Sequence, residues 1–128
     1  MKLLLDTHAF IWWDSDPQNL SATVITELQS QHNVILLSVA SIWEMQIKHH
    51  LGKLPLRLPL ADIIKDQQQN NGIILLPILS EHVLTLDQLP SHHKDPFDRL
   101  LIAQANNEGA ILVSKDQLIA AYPVNTLW

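Results

Sequence analysis

Four acidic residues of the chain, Asp6, Glu44, Asp98 and Asp116, each stand where an apolar run gives way to a turn or a helix start. Carboxylates gathered in that way are suited to hard cations. Magnesium prefers oxygen ligands in octahedral geometry and keeps several waters. In phosphodiester cleavage one such ion lowers the pKa of a bound water, and a second, roughly 3.5–4 Å away, stabilises the leaving oxygen. Four carboxylates are about what one or two ions need, and without a cation their mutual repulsion is costly.

Each acid also has a purely structural use. Asp6 can cap the turn after its strand. Glu44 completes Ser41-Ile42-Trp43-Glu44, which fits a capping box, and stands four residues before Lys48, a favourable helical pair. Asp98, at the third position of a helix, is favoured there by the helix dipole. Asp116 sits within Ser114-Lys115-Asp116-Gln117, a second possible capping box. Thr7 and Ser114 are placed to hold carboxylates or a metal-bound water by hydrogen bonds, or to cap turns. Asp95 fits a helix N-cap better than a ligand. Lys48, Arg99 and Lys115 lie near the acids in sequence, where they can meet phosphates or remain solvated or paired.

The elements that must position these residues follow from the hydrophobic pattern. Short apolar runs at Leu3–Leu5, Val34–Leu37, Ile73–Leu76 and Ile111–Val113 predict strands, with a last edge strand over Val124–Leu127. Helical spacing predicts helices over Leu20–Gln31, Ser41–Leu51, Leu60–Gln69, Ser80–Leu86, Pro96–Asn107 and Gln117–Ala121. The helix from Pro96 is the clearest, with Asp95 as N-cap, proline at the first position and Gly109 just past the end. Buried strands alternating with helices predict an α/β fold: a three-layer α/β/α sandwich around a central, mainly parallel sheet. In such sheets ligands bind beyond the carboxyl ends of the strands. Asp6, Glu44 and Asp116 fall at that edge directly. Asp98 joins them only if its helix N-terminus points back toward it.

With 128 residues and 47% hydrophobic content, one domain over residues 1–128 is expected, burying roughly two-thirds of its unfolded surface. The absence of cysteine excludes disulfides and thiolate metal sites and suits a reducing cytoplasm, the expected location. Asp6 and His8 interrupt the opening apolar run too early for a signal sequence, and no stretch approaches the ~20 apolar residues of a membrane span. A net charge of −5 argues against a broad duplex-binding surface, although metal-bound carboxylates are neutralised locally. His49-His50 and His92-His93 are adjacent pairs, which point apart on a helix, so the histidines are expected at the surface, His93 as a candidate for substrate contact. Trp12, Trp13 and Trp43 are expected in the core or an interface. Three glycines and no glycine-rich phosphate loop exclude nucleotide-binding motifs, and no nucleophile elbow is present.

Four ordered blocks resemble the PIN-domain nucleases, specifically the VapC-like toxins of bacterial toxin–antitoxin pairs. They are Leu4-Leu5-Asp6-Thr7-His8 with Trp12; Ser38 to Glu44 with Lys48 and Gly52-Lys53-Leu54; His93 to Ala105, the most specific; and Leu112-Val113-Ser114-Lys115-Asp116. The resemblance implies a PIN-like fold and a ribonuclease dependent on Mg²⁺, with Mn²⁺ as a substitute. Asp6, Glu44, Asp98 and Asp116 are its metal and catalytic positions. It further implies an RNA substrate, an antitoxin partner and frequent homodimers. In this subgroup an aromatic usually follows the last acid by three residues; here Leu118 and Ile119 occupy that stretch and Tyr122 comes later. Two other classes stay open on the residues alone. A receiver-like signalling domain also gathers acids and magnesium at a sheet edge, but needs paired acids after the first strand. An inactive PIN-fold interaction module would keep the fold without the chemistry.

Overall fold

The computed structural model describes all 128 residues. Five parallel strands, β1 (Lys2–Leu5), β2 (Val34–Ser38), β3 (Ile74–Leu76), β4 (Ile111–Val113) and β5 (Thr126–Leu127), form one sheet in the order β3-β2-β1-β4-β5. The sheet is wholly parallel where a mainly parallel one is expected. Seven helices cover it: α1 (Thr7–Ser15), α2 (Ala22–Gln29), α3 (Val39–His50), α4 (Leu60–Asn71), α5 (Ser80–Thr85), α6 (Pro96–Glu108) and α7 (Gln117–Ala120).

Strand alternation divides the core in two. Leu3 and Leu5 of β1, with Ile35 and Leu37 of β2, face a layer holding Phe10, Val24, Met45 and Ile63 from α1 to α4. Leu4, Leu36 and Leu112 face the opposite layer, with Leu101, Ile102 and Ala105 of α6 and Ile119 of α7. These two layers around the sheet make the expected three-layer sandwich.

The chain runs outward from β1 through β2 to β3, then returns to place β4 on the other flank of β1. The direction of strand succession therefore reverses between β1 and β4. At such a switch point the connections leave on opposite faces and open a crevice beyond the strand ends. Asp6 follows β1 and Asp116 follows β4, so both stand at its mouth.

Three local expectations change. A helix, α1, begins directly after Asp6, where none is expected; Asp6 is its N-cap and accepts the Ala9 amide at 2.8 Å. The helix carrying Glu44 begins at Val39, capped by Ser38 through the Ala40 amide at 3.0 Å. Ser41 is therefore already helical, and the capping box with Glu44 does not form. Asp116 caps α7 by itself, accepting the Leu118 amide at 2.9 Å, while Ser114 accepts the Asp116 amide at 3.1 Å.

Candidate active site

The helix carrying Asp98 does point back to the carboxyl edge. Asp95 caps α6, accepting the Phe97 and Asp98 amides at 2.8 and 3.4 Å, and Pro96 takes the first helical position. Asp98, in that first turn, faces the ends of β1 and β4. A cleft of about 350 Å³ is lined by Asp6, Asp98 and Asp116 together with His8, Trp12 and Lys115. Three carboxylates from three separate parts of the chain thus converge on one small space. The largest cavity, about 530 Å³, lies at the amino edge of the sheet around Trp13, Asn33 and Asn70 and gathers no titratable group.

Glu44 stands beside this cluster in a different setting. It is buried, accepts the Thr7 hydroxyl on Oε1 at 2.6 Å, and pairs through Oε2 with Lys48 Nζ at 2.8 Å. Thr7 also lies 3.1 Å from the Ser41 hydroxyl, so α1 and α3 are tied together next to Asp6. Glu44, Lys48 and Asp95 line a second cleft with Lys94, Ile47 and Phe97. The negative charge of Glu44 still bears on Asp98.

Burial and neighbouring carboxylates both work against charge on Asp98 and Asp6. Burial, then the charges of Asp95 and Asp6, push the Asp98 carboxyl up to about 7, with Glu44 adding to the rise and His93 opposing it. Burial also raises Asp6, against hydrogen bonds from Ser114 and the Ala9 amide, and Asp116 adds repulsion. Lys48 is held protonated above its usual range, chiefly by its hydrogen bond to Glu44.

The remaining sequence expectations divide. Thr7 and Ser114 bond to Glu44 and Asp6. Asp95 is an N-cap. Lys115 stands at the cleft with its ammonium 4.7 Å from the ring centre of Trp12. Arg99 is not brought to the cleft. Its guanidinium donates to the Pro90 and Leu86 carbonyls at 2.7 and 3.2 Å and to the Tyr122 hydroxyl at 3.1 Å. It is a structural clamp, because its donors are taken up by these two carbonyls and the hydroxyl. Trp12 is half-buried at the rim, edge-on to Trp128 at 5.9 Å. Trp43 is 58% exposed rather than in the core, and packs edge-on to Phe97.

Two of the histidines expected at the surface are not there: His82 is fully buried away from the cleft, and His93 stands among the acids. His93 is mostly buried, with Nε2 2.9 Å from Asp98 Oδ2 and 3.2 Å from Asp116 Oδ2. Its signal in the sequence is its place two residues before the N-cap of the acid-bearing helix. A cap fixes the backbone there, and so fixes what the preceding side chain faces.

The donors fit a divalent cation. The carboxylates offer hard oxygens only, the set magnesium and manganese take. A positive charge among them would relieve the conflict that raises Asp98.

Comparison with known proteins agrees with this architecture. The family model described as PIN domain matches residues 3–125. A curated relative, Ribonuclease VapC22 of Mycobacterium tuberculosis, is 28% identical, covering 98% of each chain. Ribonuclease VapC16 of the same organism is 37% identical over 49% of this chain and 48% of its own. Among solved structures, that of VapBC2 from Rickettsia felis, bound to a promoter DNA fragment, matches with a TM-score of 0.75 at 15% identity, covering 99% of this chain and 98% of that one. FitAcB from Neisseria gonorrhoeae matches with a TM-score of 0.64, also at 15% identity, covering 98% of this chain and 96% of that one.

Proposed function

This chain belongs to the PIN-domain family, and from that premise we propose that it is a metal-dependent ribonuclease, the toxin of a VapBC-type toxin–antitoxin pair. The observation that carries the reading is the convergence of Asp6, Asp98 and Asp116 on one cleft at the switch point of the sheet, with Asp98 pushed up to about 7 by burial and then by the acids around it. Membership of the family removes the receiver-like alternative. The inactive-module alternative is disfavoured because every acid of the four blocks is present.

In this reading Asp6, Asp98 and Asp116 hold Mg²⁺ or Mn²⁺, with Glu44 as the fourth acid beside them. When bound, the ion supplies Lewis acidity and activates water for attack on the phosphodiester. The chain does the rest. The Ala9 and Leu118 amides fix one oxygen each of Asp6 and Asp116. Thr7 and Lys48 hold Glu44 from opposite sides. Lys115, at the rim, is placed to meet a phosphate of the RNA. Residues 1–128 act as one nuclease domain in the cytoplasm, where RNA and an antitoxin would both meet it.

Two partners follow from the same reading. The solved structures that share the fold include VapBC2 of Rickettsia felis and VapBC-1 of nontypeable Haemophilus influenzae, and an antitoxin covering the cleft is the proposed regulator. A second copy is the proposed partner of α3. Val39, Trp43, Ile47 and Leu51, four residues apart, leave an apolar stripe exposed by 37–60%, and apolar side chains gathered on one face in this way are what an interaction surface offers.

The test is cleavage of a fluorogenic RNA by purified protein. Mg²⁺ or Mn²⁺ should support cutting, EDTA should stop it, and Asp98→Asn should abolish it while the fold survives. Cutting that persists in EDTA sinks the proposal.

A further inference from the structure

We infer that His93 is a positioning residue of the carboxylate cluster: it holds Asp98 and Asp116 together for a divalent cation and is not itself a ligand of that cation. This rests on the metal-dependent reading of the site. At first sight His93, Asp98 and Asp116 look like a three-ligand set, since their donor atoms lie within 4.8 Å of one another. The protonation of the ring argues otherwise.

His93 Nδ1 accepts the backbone amide of Asp95 at 3.2 Å. An imidazole nitrogen that accepts must keep its lone pair, so the ring proton of the neutral form sits on Nε2. That N–H is the one directed at Asp98 Oδ2 and Asp116 Oδ2. To bind an ion through Nε2, the ring would have to move its proton to Nδ1 and set it against the Asp95 N–H. As a donor, by contrast, it bridges two carboxylates that would otherwise repel, and each oxygen keeps a second lone pair for a cation.

The ring is held there by a chain of contacts. The His93 amide donates to the Tyr122 hydroxyl at 2.8 Å, and Tyr122 is buried. Arg99 grips the same hydroxyl and the carbonyls of Pro90 and Leu86. Asp95 works twice, capping α6 with its carboxylate and fixing the His93 tautomer with its amide. The segment is therefore built to present an Nε2–H at one place. His82 shows the same tautomer logic away from the site. Its Nδ1 accepts the Leu79 amide at 3.0 Å and its Nε2 meets Glu108 at 3.2 Å, which makes the Glu81–His82–Glu108 group a structural contact and not a second metal site.

The experiment measures Mn²⁺ binding without RNA, by calorimetry and by electron paramagnetic resonance. His93→Ala should weaken Mn²⁺ binding roughly 10- to 100-fold, the usual effect of removing a partner that orients a ligand. His93→Gln, which retains an N–H donor, should recover part of the loss. Tyr122→Phe should weaken binding in the same direction by less, and it carries the test if His93→Ala fails to fold. Electron spin echo spectra of the wild-type Mn²⁺ complex should show no directly bound nitrogen. A directly bound nitrogen that disappears in His93→Gln, or Mn²⁺ affinity in His93→Ala and Tyr122→Phe equal to or above wild type, overturns the inference. Should the wild-type protein fail to bind Mn²⁺ at all, the metal-dependent reading falls and takes this one with it. Normal wild-type binding with unaffected variants removes only the role of His93.

Discussion

Asp98→Asn should stabilise the metal-free protein, and the gain should depend on pH in a defined way. Moving a carboxyl from 3.8 to about 7 corresponds to about 4 kcal/mol of destabilisation once the group is ionised. Asp98 is partly open to solvent, and screening reduces that to about 2 kcal/mol. The helix dipole favours an anion in the first turn by about 0.3–1 kcal/mol, which the substitution forfeits. The net gain is about 1–1.5 kcal/mol, or a rise in Tm of roughly 4–6 °C for a chain of this size. Because the folded pKa is raised, the folded state binds the proton more tightly than the unfolded state. The strain is absent below the ordinary carboxyl pKa, grows as pH rises, and is complete above about 7. Melts in EDTA should therefore show the advantage of Asp98→Asn widening between about pH 4 and pH 7 and staying flat beyond. Saturating Mg²⁺ should reverse the order, since an ion at 100 times its Kd adds about 2.7 kcal/mol to the protein that binds it. An Asn variant that melts at or below wild type at pH 8 in EDTA would refute the reasoning, as would a Tm difference that ignores pH.

Thr7→Val keeps the shape of the side chain but strips Glu44 Oε1 of its 2.6 Å donor; urea titration should show a loss of about 1–3 kcal/mol at an unchanged m-value. Asp14 offers the opposite pH signature to Asp98. Burial pushes its carboxyl up, but hydrogen bonds from Arg57, Gln67 and Ser15 outweigh it and hold the pKa below the usual range. The stability that wild type holds over Arg57→Gln should be full near neutrality and should shrink as pH falls below about 4, a trend that urea melts across that range would expose or exclude. Lys115→Ala should reduce the salt dependence of RNA binding by a slope of about 0.7, as expected for one lost contact to a single strand. Arg99→Lys should leave that slope alone and lower Tm, because Arg99 clamps carbonyls and not phosphates; fluorescence anisotropy over a KCl series separates the two.

Much of the frame was legible from spacing. Leu3–Leu5, Val34–Leu37 and Ile111–Val113 read correctly as strands because buried parallel strands are continuous apolar runs. The helix after Asp6 was not legible. Ala9-Phe10-Ile11-Trp12-Trp13 is apolar all round, so it carries no period that separates helix from strand. The start of α3 was ambiguous for another reason: Ser38 and Ser41 are both competent caps, and only the end of β2 decides between them. Asp98 was recoverable in principle. A helix that feeds directly into a parallel strand runs antiparallel to it and must begin at the carboxyl edge, and only Gly109 and Ala110 separate α6 from β4.

The sequence also posed a choice, helix cap or site ligand, that the folded chain does not make. Asp6 gives Oδ1 to the Ala9 amide and Asp116 gives Oδ1 to the Leu118 amide. In both, a carboxylate has roughly four lone-pair sites and the cap uses one. The second oxygen of Asp116 meets His93 at 3.2 Å, Asp98 offers an oxygen to the same group, and Asp6 still lines the cleft. Capping fixes the side-chain rotamer, so the cap aims the acid that would hold the ion. Glu44 is the exception. It lies in the second turn of α3, where no cap is needed, yet it is buried and tied to Thr7 and Lys48. Lys48 already offsets its charge, so the carboxylates that a cation in the cleft would complete are Asp6, Asp98 and Asp116.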